Sequence, residues 1–486
     1  MKQVSPIQSV AIVGDGLTAW SCAAALKRRV PSLEIKLIRT AGSPAGLADQ
    51  MISTLPSAHR FHTDIGLSDE DTIVRAKSWQ RLGTLFSGWA ADSPAYVHAY
   101  SPYGAPIEGV PFHQLWLRER RRSDLPPFDR FSQAVELALA GRAPDPAFHD
   151  CQTGLQLSLE LYSTLIRDYA LHLEVIAREP ALKEVTIRST DGFIDCLLLE
   201  DGTRELADLF VDCTGPAAVL HSLMNAPVVD WSSWLPCDRI MATRGPSNRN
   251  FGLLDQVTAV SAGWSWSASS PQTSVMGLAY HSAFADDVAE EVALLEGGEV
   301  ISLHSSRKQE FWVRNCVAIG DAAISLEPLE WTNLHLVHKQ IDRLISMLPG
   351  SDCAPVELVE FNRQCAEEAD RVRDFICLHY ICSRRPEPFW KEASAMTPPS
   401  SLAHTLSLFA ERGRLPFYEE ETFARDSWLA VLLGQGFEPQ HIDPLTDVVP
   451  CAVAERALVA MRRTLTSFTF HPPGSTLTDL NPRGVR

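Results

Sequence analysis

The chain has 486 residues, of which 45% are hydrophobic and 21% are charged, as in an ordinary soluble globular protein with room for two or three domains. Its formal net charge of −17 argues against nonspecific binding to nucleic acid or to an anionic membrane surface. No apolar run reaches the ~18 residues of a membrane span, and no basic stretch followed by an apolar one opens the chain, so we expect a cytoplasmic protein without membrane contact.

The eleven cysteines are dispersed along the chain and contain no Cys-x-x-Cys pair. An odd number without paired spacing is typical of reduced, mostly buried thiols, and not of a disulfide framework or a zinc site. We therefore expect no bound metal.

The first predicted element is a strand over residues 10–13 that leads into Gly14 and Gly16, an alanine-rich helix and a second strand over residues 33–39. A glycine turn between a buried strand and a helix is typical of a dinucleotide-binding βαβ unit. Gly14 permits the tight turn, Gly16 lets the backbone approach a pyrophosphate at the helix N-terminus, and Ala19 keeps the helix close to the strand. The sequence therefore predicts that these three residues form a cofactor-binding site.

The second strand ends in Arg39, where an acidic residue usually binds the ribose hydroxyls of a dinucleotide. Arg39 is therefore a cofactor-binding candidate with unusual chemistry, because a guanidinium cannot accept those hydrogen bonds. Arg39 therefore predicts weak binding of the dinucleotide, with its ribose end poorly held. Residues 40–60, rich in Gly, Ser, Ala and Pro, follow as an irregular crossing segment.

The middle of the chain alternates between helical and extended patterns. Residues 90–115 hold tyrosines and histidines among glycines and prolines, as a substrate-facing loop does, and residues 129–177 are mostly helical in pattern. Further strands are predicted at residues 184–189, 196–199, 207–213, 275–280 and 312–319. From residue 332 onward the pattern is largely helical.

Two of these segments support a dinucleotide-binding fold. A buried strand ends at Gly320-Asp321 and leads to small residues and a helix, which resembles the second place where flavin monooxygenases hold FAD. Residues 208–215 look like the strand that returns towards the adenosine. The three elements in this order predict an α/β fold, with an FAD-dependent monooxygenase-type (Rossmann-like) module and a mostly helical C-terminal substrate portion.

The expected domains interleave along the chain. The FAD-binding module comprises residues 1–40 and 150–345, and the substrate-binding portion comprises residues 41–149 and 346–486. Such a discontinuous module brings the three cofactor segments together.

A family resemblance follows from longer segments. Residues 320–332 resemble the Gly-Asp…Pro-Leu-Glu-Ser-Thr segment of the flavin-dependent tryptophan halogenases, and residues 263–267, with Trp264 and Trp266, resemble the family's Trp-x-Trp-x-Ile-Pro signature. Further segments that look like those of the family, in family order, are residues 104–116, 237–239, 283–287 and 434–439. The resemblance covers nearly the whole chain.

The resemblance implies a chemistry and a set of site residues. In that family, halide is oxidised to hypohalous acid with reduced FAD and oxygen, and the acid travels through a tunnel to an aromatic substrate. By resemblance, Glu330 is the catalytic glutamate, and the backbone amides of Thr332 and Asn333 bind the halide, which is chloride or bromide. His98 and Tyr100 lie where the family sandwiches an indole between aromatic rings.

The resemblance also implies partners. Reduced FAD comes from a separate flavin reductase, since the sequence shows no second nucleotide fold. The substrate is an aromatic small molecule or peptide. The oligomeric state stays open, with a homodimer as one alternative.

Several departures from the family fall on cofactor or catalytic positions. Arg81 holds the position of the family lysine; because an arginine stays protonated, it cannot form the chloramine proposed for that lysine, although it can hydrogen-bond hypohalous acid. A structural ion pair at Arg81 is an equally good alternative. Residues 49–52 replace the family's Gly-Val-Gly-Glu, which crosses beside the flavin, and Trp331 replaces the serine after Glu330.

Two functions therefore stay open. The first is a divergent halogenase or monooxygenase, an FAD-dependent oxidoreductase that acts on an aromatic substrate such as an indole. The second is a non-catalytic homologue with weak or no FAD binding that acts as a binding or partner subunit. The intact pyrophosphate-contacting elements favour the enzyme, and Arg39 and residues 49–52 favour the partner subunit.

Overall fold

The computed structural model of the chain describes residues 5–42, 46–90, 95–144, 151–247, 252–295 and 297–470. These residues form thirteen α-helices and twenty β-strands. The helices are α1 (Leu17–Arg29), α2 (Ser57–Ile65), α3 (Asp69–Val74), α4 (Phe112–Arg120), α5 (Gln133–Leu139), α6 (Leu159–His172), α7 (Ala289–Leu294), α8 (Asn333–Ser346), α9 (Pro355–Ile381), α10 (Pro388–Ala395), α11 (Ser400–Arg412), α12 (Arg425–Gly434) and α13 (Cys451–Phe470). The strands are β1 (Ser9–Val13), β2 (Glu34–Thr40), β3 (Trp79–Arg81), β4 (Gly83–Ser87), β5 (Tyr96–Ala99), β6 (Gly154–Gln156), β7 (Ile176–Ile187), β8 (Ile194–Leu199), β9 (Arg204–Glu205), β10 (Leu209–Asp212), β11 (Val228–Asp230), β12 (Arg239–Pro246), β13 (Leu254–Val260), β14 (Gly263–Ser269), β15 (Thr273–Tyr280), β16 (Glu299–Ser302), β17 (Ser306–Lys308), β18 (Trp312–Val313), β19 (Cys316–Ala318) and β20 (Ile324–Ser325).

An eight-stranded sheet carries the glycine motif. Its strands run in the order β18-β19-β10-β1-β2-β7-β8-β9. The five strands from β19 to β7 are parallel, and antiparallel strands extend both edges. Helix α1 connects β1 to β2, and each of its residues from Leu17 to Leu26 is buried. A helix enclosed on all sides needs small or apolar residues all round, which explains the alanine-rich sequence.

A second, seven-stranded sheet runs in the order β16-β12-β15-β14-β13-β4-β5. Its neighbours are antiparallel except β13 and β4, which pair in parallel. Strands β4 and β5 come from the sequence assigned above to the substrate portion, and β12 to β16 from that assigned to the FAD module. One sheet therefore joins both parts and fixes the position of each relative to the other.

The α/β fold with a Rossmann-like module and a mostly helical C-terminal portion is confirmed, since α8 to α13 follow one another without an intervening strand among the described residues. None of the described helices combines the length and apolarity needed to cross a bilayer.

Two local predictions were wrong. The strand expected over residues 312–319 is a hairpin of β18 and β19, because the chain turns at Arg314, where φ is +54°. The helical pattern expected over residues 129–177 is interrupted by β6, which pairs with β3, and its last residues belong to β7. In residues 129–177, pairing with the distant strands β3 and β2 overrides local helix propensity.

Candidate functional site

The three segments assigned to a dinucleotide meet at the carboxyl edge of the eight-stranded sheet. Strands β1, β10 and β19 are adjacent and parallel, so the turns that follow them lie side by side. Gly14 has a φ of +136°, and a Cβ placed on it would lie 2.5 Å from the carbonyl oxygen of Cys213, which follows β10. Gly320, which follows β19, has a φ of +69°, and a Cβ there would lie 3.1 Å from Thr18 Cγ2 on α1. Both backbone conformations favour glycine, and at Gly14 a side chain would also collide with the Cys213 carbonyl.

A groove of about 380 Å³ opens at this edge, lined by the β1–α1 turn, by α6 and by residues 213–215. Gly16 is the N-cap of α1, and Gly16 and Leu17 line the groove. The first N–H groups of a helix have no intrahelical partner and attract anions. Ala19 is fully buried where α1 packs on the core. This glycine-lined helix N-terminus is of the kind that binds anions, and FAD binding there stays a prediction.

Arg39 lies at the surface at the end of β2. Its Nε donates a hydrogen bond of 2.6 Å to the carbonyl oxygen of Glu179 on β7. The β2 residue that lines the groove is Thr40. The Arg39 side chain is thus engaged with the neighbouring strand, and a ribose contact for it stays a prediction.

Asp321 binds another part of the chain. Its carboxylate accepts hydrogen bonds from the backbone N–H groups of Leu47 and Ala48, at 2.9 and 3.0 Å. Burial, helped by the nearby Asp49 carboxylate and opposed by the two N–H donors, raises the pKa of Asp321 to about 6. The second predicted cofactor element is therefore linked to the crossing segment that follows β2.

Asp49 connects the same crossing segment to α1, which belongs to the first predicted cofactor element. Its Oδ1 accepts hydrogen bonds from the backbone N–H and the hydroxyl of Thr18, both at 2.7 Å. Burial raises the pKa of Asp49, while the two hydrogen bonds from Thr18 lower it. A carboxylate of the chain itself thus lies at the N-terminus of α1.

Glu330 is the centre of a second cluster, in the turn before α8. The carboxylate is fully buried, and both of its oxygens lie 2.9 Å from His98 Nδ1 on β5. His379 Nε2, on α9, lies 3.1 Å from Glu330 Oε1. Burial would raise the pKa of Glu330, but the two imidazole rings outweigh it and hold the pKa at about 2. The carboxylate is therefore ionised at neutral pH.

The backbone at this turn is strained. Glu330 and Trp331 have φ values of +65° and +61°, in the left-handed region that residues other than glycine rarely adopt. Such conformations persist where the surrounding structure enforces them, and they cluster at functional sites. The packing of the Trp331 ring, which is 1% exposed and lies edge-on to Trp266, holds the turn in place.

Arg81, at the end of β3, is fully buried and forms an ion pair with Asp255, at 2.9 Å between Nε and Oδ2. Its terminal nitrogens donate hydrogen bonds to three oxygens, which are Thr54 O at 3.0 Å, Gly83 O at 3.2 Å and Thr84 Oγ1 at 2.8 Å. The structure therefore shows the ion pair that was the alternative to a catalytic role.

The guanidinium of Arg81 is nevertheless close to the Glu330 cluster. It lies 5.1 Å from the ring centre of Tyr100 and 5.7 Å from that of Trp331, within the range of cation–π attraction. The positive charge of Arg81 thus faces the residues that surround the carboxylate.

The predicted halide residues begin α8. Thr332 is the N-cap and Asn333 the first residue of this helix, so their N–H groups belong to the set without intrahelical partners. Asn333 Nδ2 donates a hydrogen bond of 3.1 Å to the carbonyl oxygen of Leu326, which fixes this side chain. Halide binding at these amides stays a prediction.

A cleft of about 660 Å³ approaches the cluster from the surface. Tyr100 and Phe423 line it, and their rings lie 6.1 and 6.0 Å from the His98 ring between centres. Among the described residues, Tyr100 Oη and His98 Nε2 are buried without a hydrogen-bond partner. Buried polar atoms of this kind suit a polar ligand. His98 thus contacts Glu330 and lies beside two rings that line the cleft, while Glu330 itself is fully buried.

Glu327 is a second buried carboxyl, three residues before Glu330. Tyr380 Oη and Trp264 Nε1 donate hydrogen bonds to its Oε2, at 2.6 and 2.9 Å. Burial, which these donors offset only in part, raises the pKa of Glu327 to about 7. Because Tyr380 adjoins His379, this hydrogen bond fixes α9 against the Glu330 turn.

Sequence reasoning missed three residues of these clusters. They are His379 on α9, Asp255 on β13 and Glu327 between β20 and α8. Each contacts a residue named in the sequence analysis that is far from it in the sequence, so the contact exists only in the folded chain. The one available signal was at Glu327, which directly precedes the Pro328-Leu329-Glu330 match.

The sequence profile of the tryptophan halogenase family matches residues 9–451. The tryptophan 7-halogenase KtzQ of Kutzneria sp. (strain 744) is 25% identical, over 94% of this chain and 95% of that protein. The structure of BrvH, a flavin-dependent halogenase from Brevundimonas sp. BAL3, is similar with a TM-score of 0.90 and 32% identity, over 96% of this chain and 97% of that one. Xcc4156, a flavin-dependent halogenase from Xanthomonas campestris, gives a TM-score of 0.90 at 29% identity, with 96% of each chain covered. The chain belongs to the tryptophan halogenase family of flavin-dependent halogenases.

Proposed function

We propose that this chain is an enzyme that halogenates an aromatic substrate, with chloride or bromide as the halogen source. The observation that carries the proposal is the position of the Glu330 carboxylate, which lies 2.9 Å from His98 and 3.1 Å from His379 beyond an aromatic-lined cleft. The tryptophan halogenases among its relatives support an indole-containing substrate. FAD, supplied in reduced form by a separate reductase, provides the oxidising chemistry with oxygen when it is bound.

The cofactor would be held at the carboxyl edge of the eight-stranded sheet. Gly14 and Gly16 carry no side chain that would block its pyrophosphate once the Asp49 carboxylate beside Gly16 has moved, and the N-terminus of α1 attracts the negative charge. Ala19 keeps α1 close to β1, and Asp321 lines the adjoining cavity together with Leu47. The residues that line this edge of the sheet support the proposal that the chain binds flavin.

Glu330 would act on the substrate directly. When an electrophilic halogen adds to an aromatic carbon, the ring becomes cationic and must lose the proton from that carbon. An ionised carboxylate beside the ring stabilises the cation and accepts the proton. His98 and His379 keep the carboxylate ionised before it accepts the proton, and they are its nearest hydrogen-bonding neighbours after the transfer.

Arg81 would act by position and charge. Its guanidinium cannot be halogenated as a neutral amine could, because it stays protonated. It is fixed by Asp255 and faces Tyr100 and Trp331. From there it can orient hypohalous acid towards the substrate, with the halide itself held at the amides of Thr332 and Asn333.

A partner subunit without catalysis is the second candidate. Two observations favour it: Asp49 lies at the N-terminus of α1, and Glu330 is fully buried. Both would require movement before cofactor and substrate could bind. A monooxygenase that has lost the halide site is a variant of the enzyme proposal.

Bromination of indole tests the proposal. The protein is supplied with FAD, NADH, a flavin reductase, oxygen and bromide, and products are identified by mass spectrometry. Methionine in excess scavenges hypobromous acid that diffuses freely, and reactions without the protein measure the background. Bromoindole that resists the scavenger supports the proposal. FAD binding with an oxygenated product would favour the monooxygenase, and neither FAD binding nor product would favour the partner subunit.

A further inference from the structure

Residues 46–49, which we name the groove segment, lie across the predicted cofactor site. Gly46 and Asp49 line the groove beside the β1–α1 turn, and Leu47 lines an adjoining cavity of about 220 Å³ together with Asp321. The segment thus contributes to both spaces. A dinucleotide that extends from the N-terminus of α1 to Asp321 would have to pass through the groove segment.

The Asp49 carboxylate occupies the anion position of α1. Thr18 is the second residue of the helix, and its N–H is one of those without an intrahelical partner. Asp49 Oδ1 accepts a hydrogen bond from that N–H and another from the Thr18 hydroxyl, both at 2.7 Å. These are the donor and the helix end that a pyrophosphate uses in a dinucleotide-binding fold.

The same carboxylate fills the space that Gly16 leaves open. A Cβ placed on Gly16 would lie 2.1 Å from Asp49 Oδ2. The absence of a side chain at Gly16 is what allows a phosphate group to approach the backbone there. Asp49 and a pyrophosphate would therefore compete for one volume as well as for one donor.

We propose that Asp49 sets the affinity of this chain for FAD, by holding the pyrophosphate position of α1 until the groove segment withdraws. The inference rests on the proposed use of FAD and deepens it. Only the fraction of molecules with the segment withdrawn binds the cofactor, so the apparent dissociation constant rises by the inverse of that fraction. A carboxylate retained near the phosphates would add electrostatic repulsion.

Asp321 makes the groove segment act as a unit. Its hydrogen bonds from the N–H groups of Leu47 and Ala48 fasten the segment at its other end, and a Cβ on Gly46 would lie 2.5 Å from Asp321 Oδ2. Release of Asp49 alone leaves this attachment in place. Substitution of Asp49 therefore removes the hydrogen bonds to Thr18 and leaves those that Asp321 accepts from the segment intact.

Calorimetric titration with oxidised FAD and with riboflavin, which has no phosphate, tests the inference. Asp49→Ala should bind FAD about tenfold or more tightly than the wild type, because a charge-assisted competitor is removed. Riboflavin affinity should stay within about twofold. Asp49→Asn keeps the size of the side chain and should give an intermediate gain in FAD affinity. This variant provides the test if Asp49→Ala does not fold.

Asp124→Asn is the control. Asp124 carries the same charge and is exposed, but it lies outside the lining of the groove. Its substitution should change FAD affinity by less than about twofold. An equal gain from Asp124→Asn, equal gains for riboflavin, or no gain from either Asp49 variant would overturn the inference. Tight FAD binding by Asp49→Ala without halogenation would instead overturn the proposed function alone.

Discussion

His379 Nε2 lies 3.1 Å from Glu330 Oε1, so a residue near the end of α9 contacts the carboxylate in the turn before α8. His98 approaches the same carboxylate from β5, at 2.9 Å. Two elements that are far apart in the sequence thus enclose one carboxylate on two sides. The ionised state of Glu330 depends on both rings, because burial alone would favour the protonated form.

Replacement of His379 should therefore lower the rate of halogenation at acidic pH. In His379→Gln the pKa of Glu330 rises, because burial is then opposed by only one ring. We expect a kcat for indole bromination that is about tenfold lower, with an acid limb displaced to higher pH. The pH dependence of kcat at saturating FAD measures this, and His404→Gln, at an exposed position on α11, is the control. An unchanged acid limb would show that His379 does not control the ionisation of Glu330.

Arg81→Lys should increase halogenation, since it restores an amine that can lose its proton and accept the halogen. The lysine can retain the contact with Asp255 but loses several of the hydrogen bonds that the guanidinium donates. We therefore expect a free energy of unfolding lower by about 1–3 kcal/mol. Product yield and chemical denaturation are measured on the same preparation. A fully folded Arg81→Lys protein with less bromoindole than the wild type would contradict the prediction.

Glu327 should make the protein less stable as pH rises. Its pKa in the folded protein is about 7, above the ordinary value of 4.5. Between these two pH values the folded state binds the proton more tightly than the unfolded state, so the stabilisation is complete below about pH 4.5 and is lost as pH approaches 7. The loss is at most about 3 kcal/mol.

Glu327→Gln tests this contribution, because glutamine has the same shape and its carbonyl can accept the hydrogen bonds from Tyr380 and Trp264. Urea denaturation at pH 5 and at pH 7.5 gives the free energy of unfolding of both proteins. The wild type should lose more stability than Glu327→Gln over this interval. Parallel changes in the two proteins would exclude Glu327 as the source, and Asp321, whose pKa is also raised, would become the candidate.

The sequence predicted the parts of the site that depend on local chain geometry. Gly14 and Gly320 lie in turns that follow adjacent parallel strands, and such turns can be recognised from the neighbouring sequence. Glu330 was found by its match to a family segment. By contrast, the ion pair of Arg81 with Asp255 and the contact of Asp49 with Thr18 join distant segments. Without the fold, no spacing in the sequence identifies these partners.

The comparison of wild type with Glu330→Gln under equal FAD occupancy tests the central claim most directly. FAD binding is measured first by titration, and bromoindole is then measured by mass spectrometry at saturating cofactor with the scavenger present. Because the amide cannot accept the ring proton, Glu330→Gln should bind FAD as the wild type does and form bromoindole at least about a hundredfold more slowly. Equal bromination by the two proteins, or none by a wild type that binds FAD, would contradict the role of this carboxylate in halogenation.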